Sequence, residues 1–197
     1  MSEEKKADKE LKLVPFITGE SVDLAVQVSE MASMVCKWVN DPKVRRYSRT
    51  VMPLSLDEVK KWFEPSSENT LQDFIIFAIW HKKDKKPIGN VALNRINWVN
   101  RSAYAFLTIG EPEYWGAGIA TETTTLLLQY AFEELNLNKV IGQVIIDNVG
   151  SWKVAEKAGF VFEGISREDF YVDGKYKDVK NYSYLKKDWL DLKKKES

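Results

Sequence analysis

The stretch Glu113–Glu122 reads EYWGAGIATE, and the amphipathic run TTTLLLQYAFEEL follows it directly. A strand ending at Gly110, a loop WGAGIA (Trp115–Ala120) and a helix make an anion site by geometry. The first N–H groups of a helix lack intrahelical partners, and the macrodipole favours negative charge there. Gly116 and Gly118 let backbone N–H groups converge on a pyrophosphate with no Cβ in the way. The loop is neither of two familiar phosphate motifs. It lacks the Gly-Lys-Ser/Thr of a Walker loop and the three glycines of the dinucleotide fingerprint. A tight turn with small residues for helix packing fits the same letters. The second polar group lies in IIDNVGSWKVAEKAGF, where a strand runs into a short helix. Asn148 sits where the strand gives way, and its side-chain amide can cap the helix or meet a ligand.

These residues need elements to position them. LKLVPFI (Leu11–Ile17) predicts a first strand. Met31, Met34, Val35 and Trp38 recur at helical spacing, with Pro42 beyond the end. Ser55–Phe63 opens with a capping box, Ser55 with Glu58. Phe74–Trp80, Ile88–Val99 and Ala103–Gly110 predict three strands. The glycine loop and a helix to about Leu135 follow, then the strand Lys139–Ile146. A short helix ends at Gly159, a natural C′ residue. Two final strands flank Asp173-Gly174, a strong hairpin turn. The order is strand, two helices, three strands, helix, strand, helix, hairpin. That is a mixed α/β domain with one strand–helix–strand crossover over residues 103–146. Residues 1–10 and 191–197 read as charged tails, the first disordered, around a single domain over 11–190.

The 197 residues suffice for one well-packed domain, and 44% of them are apolar. Lys+Arg and Asp+Glu balance at 29 each, which argues against a generic nucleic-acid binder. The single Cys36 excludes an internal disulfide framework and fits a reducing compartment. One cysteine and one histidine, His81, form no His/Cys metal cluster. No signal peptide and no apolar run of membrane-spanning length is apparent, so a soluble cytoplasmic protein with no membrane partner is expected.

WGAGIATE paired with DNVGSWKVAEKAGF resembles the GCN5-related N-acetyltransferases (GNAT), in their RimJ/RimL-type branch. WVNDPKVRRY, PIGNVALNRINWVNRSA and EGISREDFYVDGKYKD are similar to further segments of that branch, in order, over most of the chain. The resemblance implies an α/β (α+β) fold. Its sheet is mixed and mostly antiparallel, with a splayed central strand pair and helices on both faces. It implies transfer of the acetyl group of acetyl-CoA to a primary amine, without a metal. Candidate acceptors are a protein N-terminus, a polyamine, an amino sugar or a small amine. Trp115, Gly116, Ala117, Gly118, Ile119 and Ala120, with Thr121, would hold the pyrophosphate. Leu107, Thr108 and Ile109 would offer backbone groups to the pantetheine arm and to the oxyanion. Asn148 would bind the cofactor arm, and Ser151 would protonate the leaving thiolate.

The chain departs from the family in two places. Tyr104 stands where many relatives carry Glu, and Ala155 where many carry a general-acid Tyr. Ser151 becomes the better acid. The base stays open among Tyr104, Glu168, Asp169 and Tyr171, or a water chain. The resemblance also implies that some of Trp38, Tyr47, Trp62 and Tyr171 wall the acceptor pocket, and that a homodimer pairs through strands near the C-terminus. A non-catalytic acyl-CoA-binding domain is the competing reading. Other features read as structural. Lys82, Lys83, Lys85 and Lys86 around Asp84 form a solvated turn, Cys36 is a buried thiol, and His81 is exposed.

Overall fold

The computed structural model describes residues 11–48, 52–64 and 72–196, so the expected tail at 1–10 lies outside the described residues. Among the described residues, eight strands form one sheet in the order β1-β2-β3-β4-β5-β6-β8-β7. They are β1 Pro15–Thr18, β2 Val22–Ala25, β3 Ile75–His81, β4 Lys86–Asn97, β5 Ser102–Ile109, β6 Lys139–Ile145, β7 Val161–Val172 and β8 Lys175–Leu185. Every pairing is antiparallel except β5 with β6. The mixed, mostly antiparallel α/β sheet is the one expected.

Several boundaries differ from the sequence reading. Of the expected first strand, Leu11–Ile17, only residues 15–17 are extended, within β1, while Leu11 and Leu13 pack against a helical cluster. The unforeseen β2 is four residues long and wholly buried, too short for alternation to register. Pro42 both ends α1 (Ala32–Asn40) and opens α2 (Pro42–Arg45), with the Asp41 carboxylate accepting from Lys43 N–H at 2.7 Å. In α3 (Leu56–Lys61) the capping box forms: Ser55 N–H donates to Glu58 Oε2 at 2.8 Å. The charged C-terminus is helical through Glu196. In α6 (Lys186–Glu196) the buried Trp189 donates its indole N–H to Glu133 at 3.0 Å.

Side-chain alternation sorts the core onto two faces. Val91, Leu93, Ala103, Ala105, Leu107 and Ile109 pack with α4 (Ile119–Gln129), whose C-terminus continues as one π-helical turn, Tyr130–Glu134. The helix α5 (Val149–Lys157) joins this layer through Ala155. On the opposite face Ala78 packs against Met31, Ala32, Val35 and Trp38 around α1 and Val59 of α3. A third cluster beyond the central strands joins Ile145, Phe170 and Val179 to Tyr47, which follows α2.

Candidate active site

The site begins with a sheet that stops pairing. β5 and β6 are joined only over Ser102–Tyr104 and Lys139–Ile141. Beyond these residues each strand keeps its outer neighbour: β5 continues along β4 to Ile109, and β6 along β8 to Ile145. A wedge-shaped gap therefore opens toward the carboxyl ends of two parallel strands, where open α/β sheets place their ligands.

Alternation along β5 decides which backbone groups face the gap. Gly110 N–H donates to Ile88 O of β4 at 2.8 Å, whereas Arg101 O accepts from Asn138 N–H at 2.6 Å on the β6 side. The one register shift in this ladder places Arg95 and Ile96 of β4 opposite a single residue of β5, so β5 keeps its phase. Ala105, Leu107 and Ile109 therefore turn N–H and C=O toward the gap, and Phe106 and Thr108 toward β4. Thr108, expected to offer its backbone to the cofactor with Leu107 and Ile109, uses it in the ladder with Asn90 instead.

The glycine loop lies at the open end. After β5 comes a single 3-10 turn, Pro112–Tyr114, then Trp115 to Gly118 and the first turn of α4. Gly116 has φ +79° and Gly118 φ +84°, and a Cβ at either would meet nothing within 4 Å. Left-handed backbone favours glycine here, and the space in front is open. Ala117 is exposed as well. Gly118 is the N-cap and offers no side chain, so the N–H groups of Ile119 and Ala120 keep no side-chain cap, while Thr121 N–H bonds Gly118 O at 3.0 Å. Trp115 has its own role: its indole N–H donates to Ile109 O at 2.9 Å, tying the loop to the end of β5.

The loop is braced from behind. Glu111 Oε1 accepts from Trp38 Nε1 at 2.8 Å, and its carboxylate pairs with Lys37 at 3.2 Å. Burial alone would raise the Glu111 carboxyl. The Trp38 and Lys37 bonds and the nearby Lys37 and Lys86 charges outweigh that and hold it below its ordinary range. On the other flank Tyr114 O–H donates to Asp84, which stands 2.9 Å from His81 Nδ1. The Tyr114 bond is the largest cause lowering the Asp84 carboxyl. His81, expected to be exposed, is instead packed edge-on to the Tyr114 ring, 4.8 Å between centroids.

Asn148 and Ser151 stand at the end of β6, at the same open end of the sheet. Asn148 caps α5, its Oδ1 accepting from Ser151 N–H at 3.3 Å. Capping uses only the carbonyl oxygen, and the amide donors remain for a ligand. Ser151 is exposed. The loss of a tyrosine at Ala155 is not made good by Tyr182. That residue is fully buried and donates to Glu156 at 2.9 Å, and burial with this carboxylate pushes its phenol up to about 12.

The remaining expected residues do not all meet. Tyr104 is the last β5 residue paired with β6, half-buried, with the Arg95 guanidinium 5.5 Å from its ring centre. Tyr47 packs against Ile145 and Phe170 on the α1–α3 face, and its neighbour Arg46 pairs with Asp173 at 2.8 Å. Trp38 is only 1% exposed and cannot wall a pocket; its indole is committed to Glu111. Tyr171 alternates with Phe170, so it faces away from Tyr47, and its ring lies 5.1 Å from Tyr176. Asp169 is exposed within the β7 bulge between Ser166 and Phe170. One residue on this face was missed. Phe106 is 41% exposed on an interior strand, beside the Leu107 N–H. The signal was its even position with Tyr104 and Thr108, opposite the core-facing alanines.

A parallel strand pair open at its carboxyl ends, with a left-handed glycine loop and a helix N-terminus at the opening, suits a phosphate-bearing ligand. The Acetyltransferase (GNAT) domain profile matches residues 25–161, and the chain belongs to that family. Among its relatives, the spermidine N(1)-acetyltransferase of Vibrio cholerae is 33% identical over 138 residues, 70% of this chain and 77% of that protein. The N-acetyltransferase p20 of Bacillus licheniformis, itself uncharacterized, is 27% identical over 171 residues, 86% of this chain and 96% of that protein. The crystal structure of spermidine N-acetyltransferase from Vibrio cholerae with CoA and spermine superposes with a TM-score of 0.79 at 28% identity, over 87% of this chain and 99% of that one. The protein is a GNAT-type N-acetyltransferase, with acetyl-CoA as its acetyl donor.

Proposed function

We propose that acetyl-CoA lies in the gap between β5 and β6 and that its acetyl group passes directly to a primary amine entering from the α1–α3 face. The observation that carries this reading is the end of β5–β6 pairing at Tyr104 and Ile141, with the glycine loop at the same end of the sheet. The family core fills the α4–α5 face, so the amine approaches from the other side. The N–H groups of Gly116 to Ala120 bind the pyrophosphate, and Asn148 binds the pantetheine arm. The backbone of Leu107 and Ile109 pairs with that arm. The Leu107 N–H stands where the carbonyl oxygen gains charge.

The neutral amine nitrogen attacks the thioester carbon. The carbon–sulfur bond breaks as the tetrahedral intermediate collapses, and the thiolate takes the Ser151 hydroxyl proton. The proton shed by the attacking nitrogen passes through the Tyr104 hydroxyl or through water and restores the Ser151 hydroxyl. Within the family the chain reads as a RimJ/RimL-type cytoplasmic enzyme. Thiol release from acetyl-CoA over a panel of primary amines tests the assignment. Turnover with one amine that falls about a hundredfold or more in Ser151→Ala supports the acid role. Turnover unchanged in that variant removes Ser151 from the chemistry.

A further inference from the structure

β5 is the fifth of eight strands and pairs in parallel with β6, and parallel strands normally have both faces covered. On the α4 face it is covered. On the other face α1 and α3 shelter Ala78 of β3, and Tyr47 reaches across to Ile145, Phe170 and Val179. Phe106 is left uncovered between these two groups, 41% exposed. It sits one residue from the Leu107 N–H. An amine approaching the gap from this face must therefore cross the Phe106 ring.

The surroundings of Phe106 carry neutral polar groups. Asn90, 9% exposed, pairs with Thr108 across the ladder, and its Oδ1 accepts from Gln27 Nε2 at 2.6 Å. Asn94 pairs with Tyr104, and the Arg95 guanidinium stands over the Tyr104 ring. Among the described residues, three carboxylates near this face are already matched. Glu111 is held by Trp38 and Lys37, Asp173 by Arg46, and Asp147 by Lys177 at 2.6 Å. Glu168 and Asp178 line a depression of about 570 Å³ with Arg167; Asp178 alternates with the buried Val179, which places it on the opposite side of the sheet. A bound polycation needs unmatched carboxylates to replace its lost hydration. Among the described residues, the immediate surroundings of Phe106 offer amides, the Tyr104 and Thr108 hydroxyls and the Arg95 guanidinium.

We infer that the acceptor is an amine carried on an aromatic or apolar group, seated on Phe106, and that polyamines are poor acceptors. The inference rests on the transferase reading of the gap. Phe106 is the residue that sets the preference, and the Gln27–Asn90 pair fixes the polar side of the pocket.

The test is calorimetric titration of the CoA-loaded protein with phenethylamine and with spermidine, which reads the acceptor site without requiring turnover. Phenethylamine should bind about tenfold more tightly than spermidine. Phe106→Ala should weaken phenethylamine about tenfold, the worth of an aromatic contact with its buried area, with the Kd of acetyl-CoA unchanged. Phe106→Glu places a carboxylate at an exposed position and should reverse the order of the two amines. Tighter spermidine binding in the wild type, or a phenethylamine Kd indifferent to Phe106→Ala, overturns the inference alone. Failure of the wild type to bind acetyl-CoA overturns the transferase reading and this inference with it.

Discussion

The two halves of β5 have the same backbone and different partners. Over Ser102–Tyr104 the strand is hydrogen-bonded on both sides, by β4 and by β6. From Ala105 to Ile109 it keeps β4 and loses β6. Backbone polar groups in an interior strand rarely stay unmet. The closed half is structure, and in our proposal the open half is a binding edge that takes its hydrogen bonds from the ligand, as an exposed strand edge does when a peptide adds to it. The indole of Trp115 already satisfies the last carbonyl of that half, Ile109 O.

A proline separates the two roles within adjacent residues. Leu107→Pro removes an N–H that faces the gap, and Thr108→Pro removes one that belongs to the β4 ladder. We expect Leu107→Pro to fold and to lose about 10²–10³ in kcat, the scale of a deleted oxyanion donor. Thr108→Pro should cost about 3 kcal/mol of stability, read as a lowered urea midpoint. If the two variants are equally unfolded, the assignment of faces is wrong.

Weaker perturbations sharpen the contrast. Trp115→Phe keeps the ring and loses the bond to Ile109 O. It should raise the Kd of acetyl-CoA about fivefold, near 1 kcal/mol, with little change in Tm. Glu111→Gln probes the brace behind the loop. The native Glu111 carboxyl lies below its ordinary value, so its contribution is complete above the unfolded value of about 4.3 and is lost as pH falls through the folded one. The stability difference between wild type and Glu111→Gln, about 1 kcal/mol at neutral pH, should therefore shrink below about pH 4. A difference that grows on acidification would contradict the direction of the shift.

The cofactor end was far more legible in the sequence than the acceptor end. Gly116 and Gly118 write a local conformational demand into residue type, and Asn148 marks a helix start. Both are consequences of a few adjacent residues. The splay was expected only through family resemblance, because no residue type encodes where two distant strands part. Trp38 and Tyr171 were misplaced for a related reason. Aromatic side chains serve core and pocket alike, and only the sheet's register and the bond from Trp38 to Glu111 separate the two uses. The short β2 and the helical C-terminus were hidden by length and by charge. Four residues cannot show a period, and the lysines of α6 conceal the single anchor, Trp189.

The central claim is that the open half of β5 and the glycine loop together hold acetyl-CoA. Gly118→Asn tests it with least damage to the fold. Asn tolerates left-handed backbone better than most side chains, and its Cβ would enter open space where the pyrophosphate is expected. Calorimetric titration of wild type and Gly118→Asn with acetyl-CoA is the measurement. We predict micromolar binding to the wild type and a Kd at least about tenfold higher in the variant, at nearly unchanged Tm. Equal affinity in the two proteins, or no binding to the wild type, would contradict the account and return the two glycines to a turn that only shapes the chain.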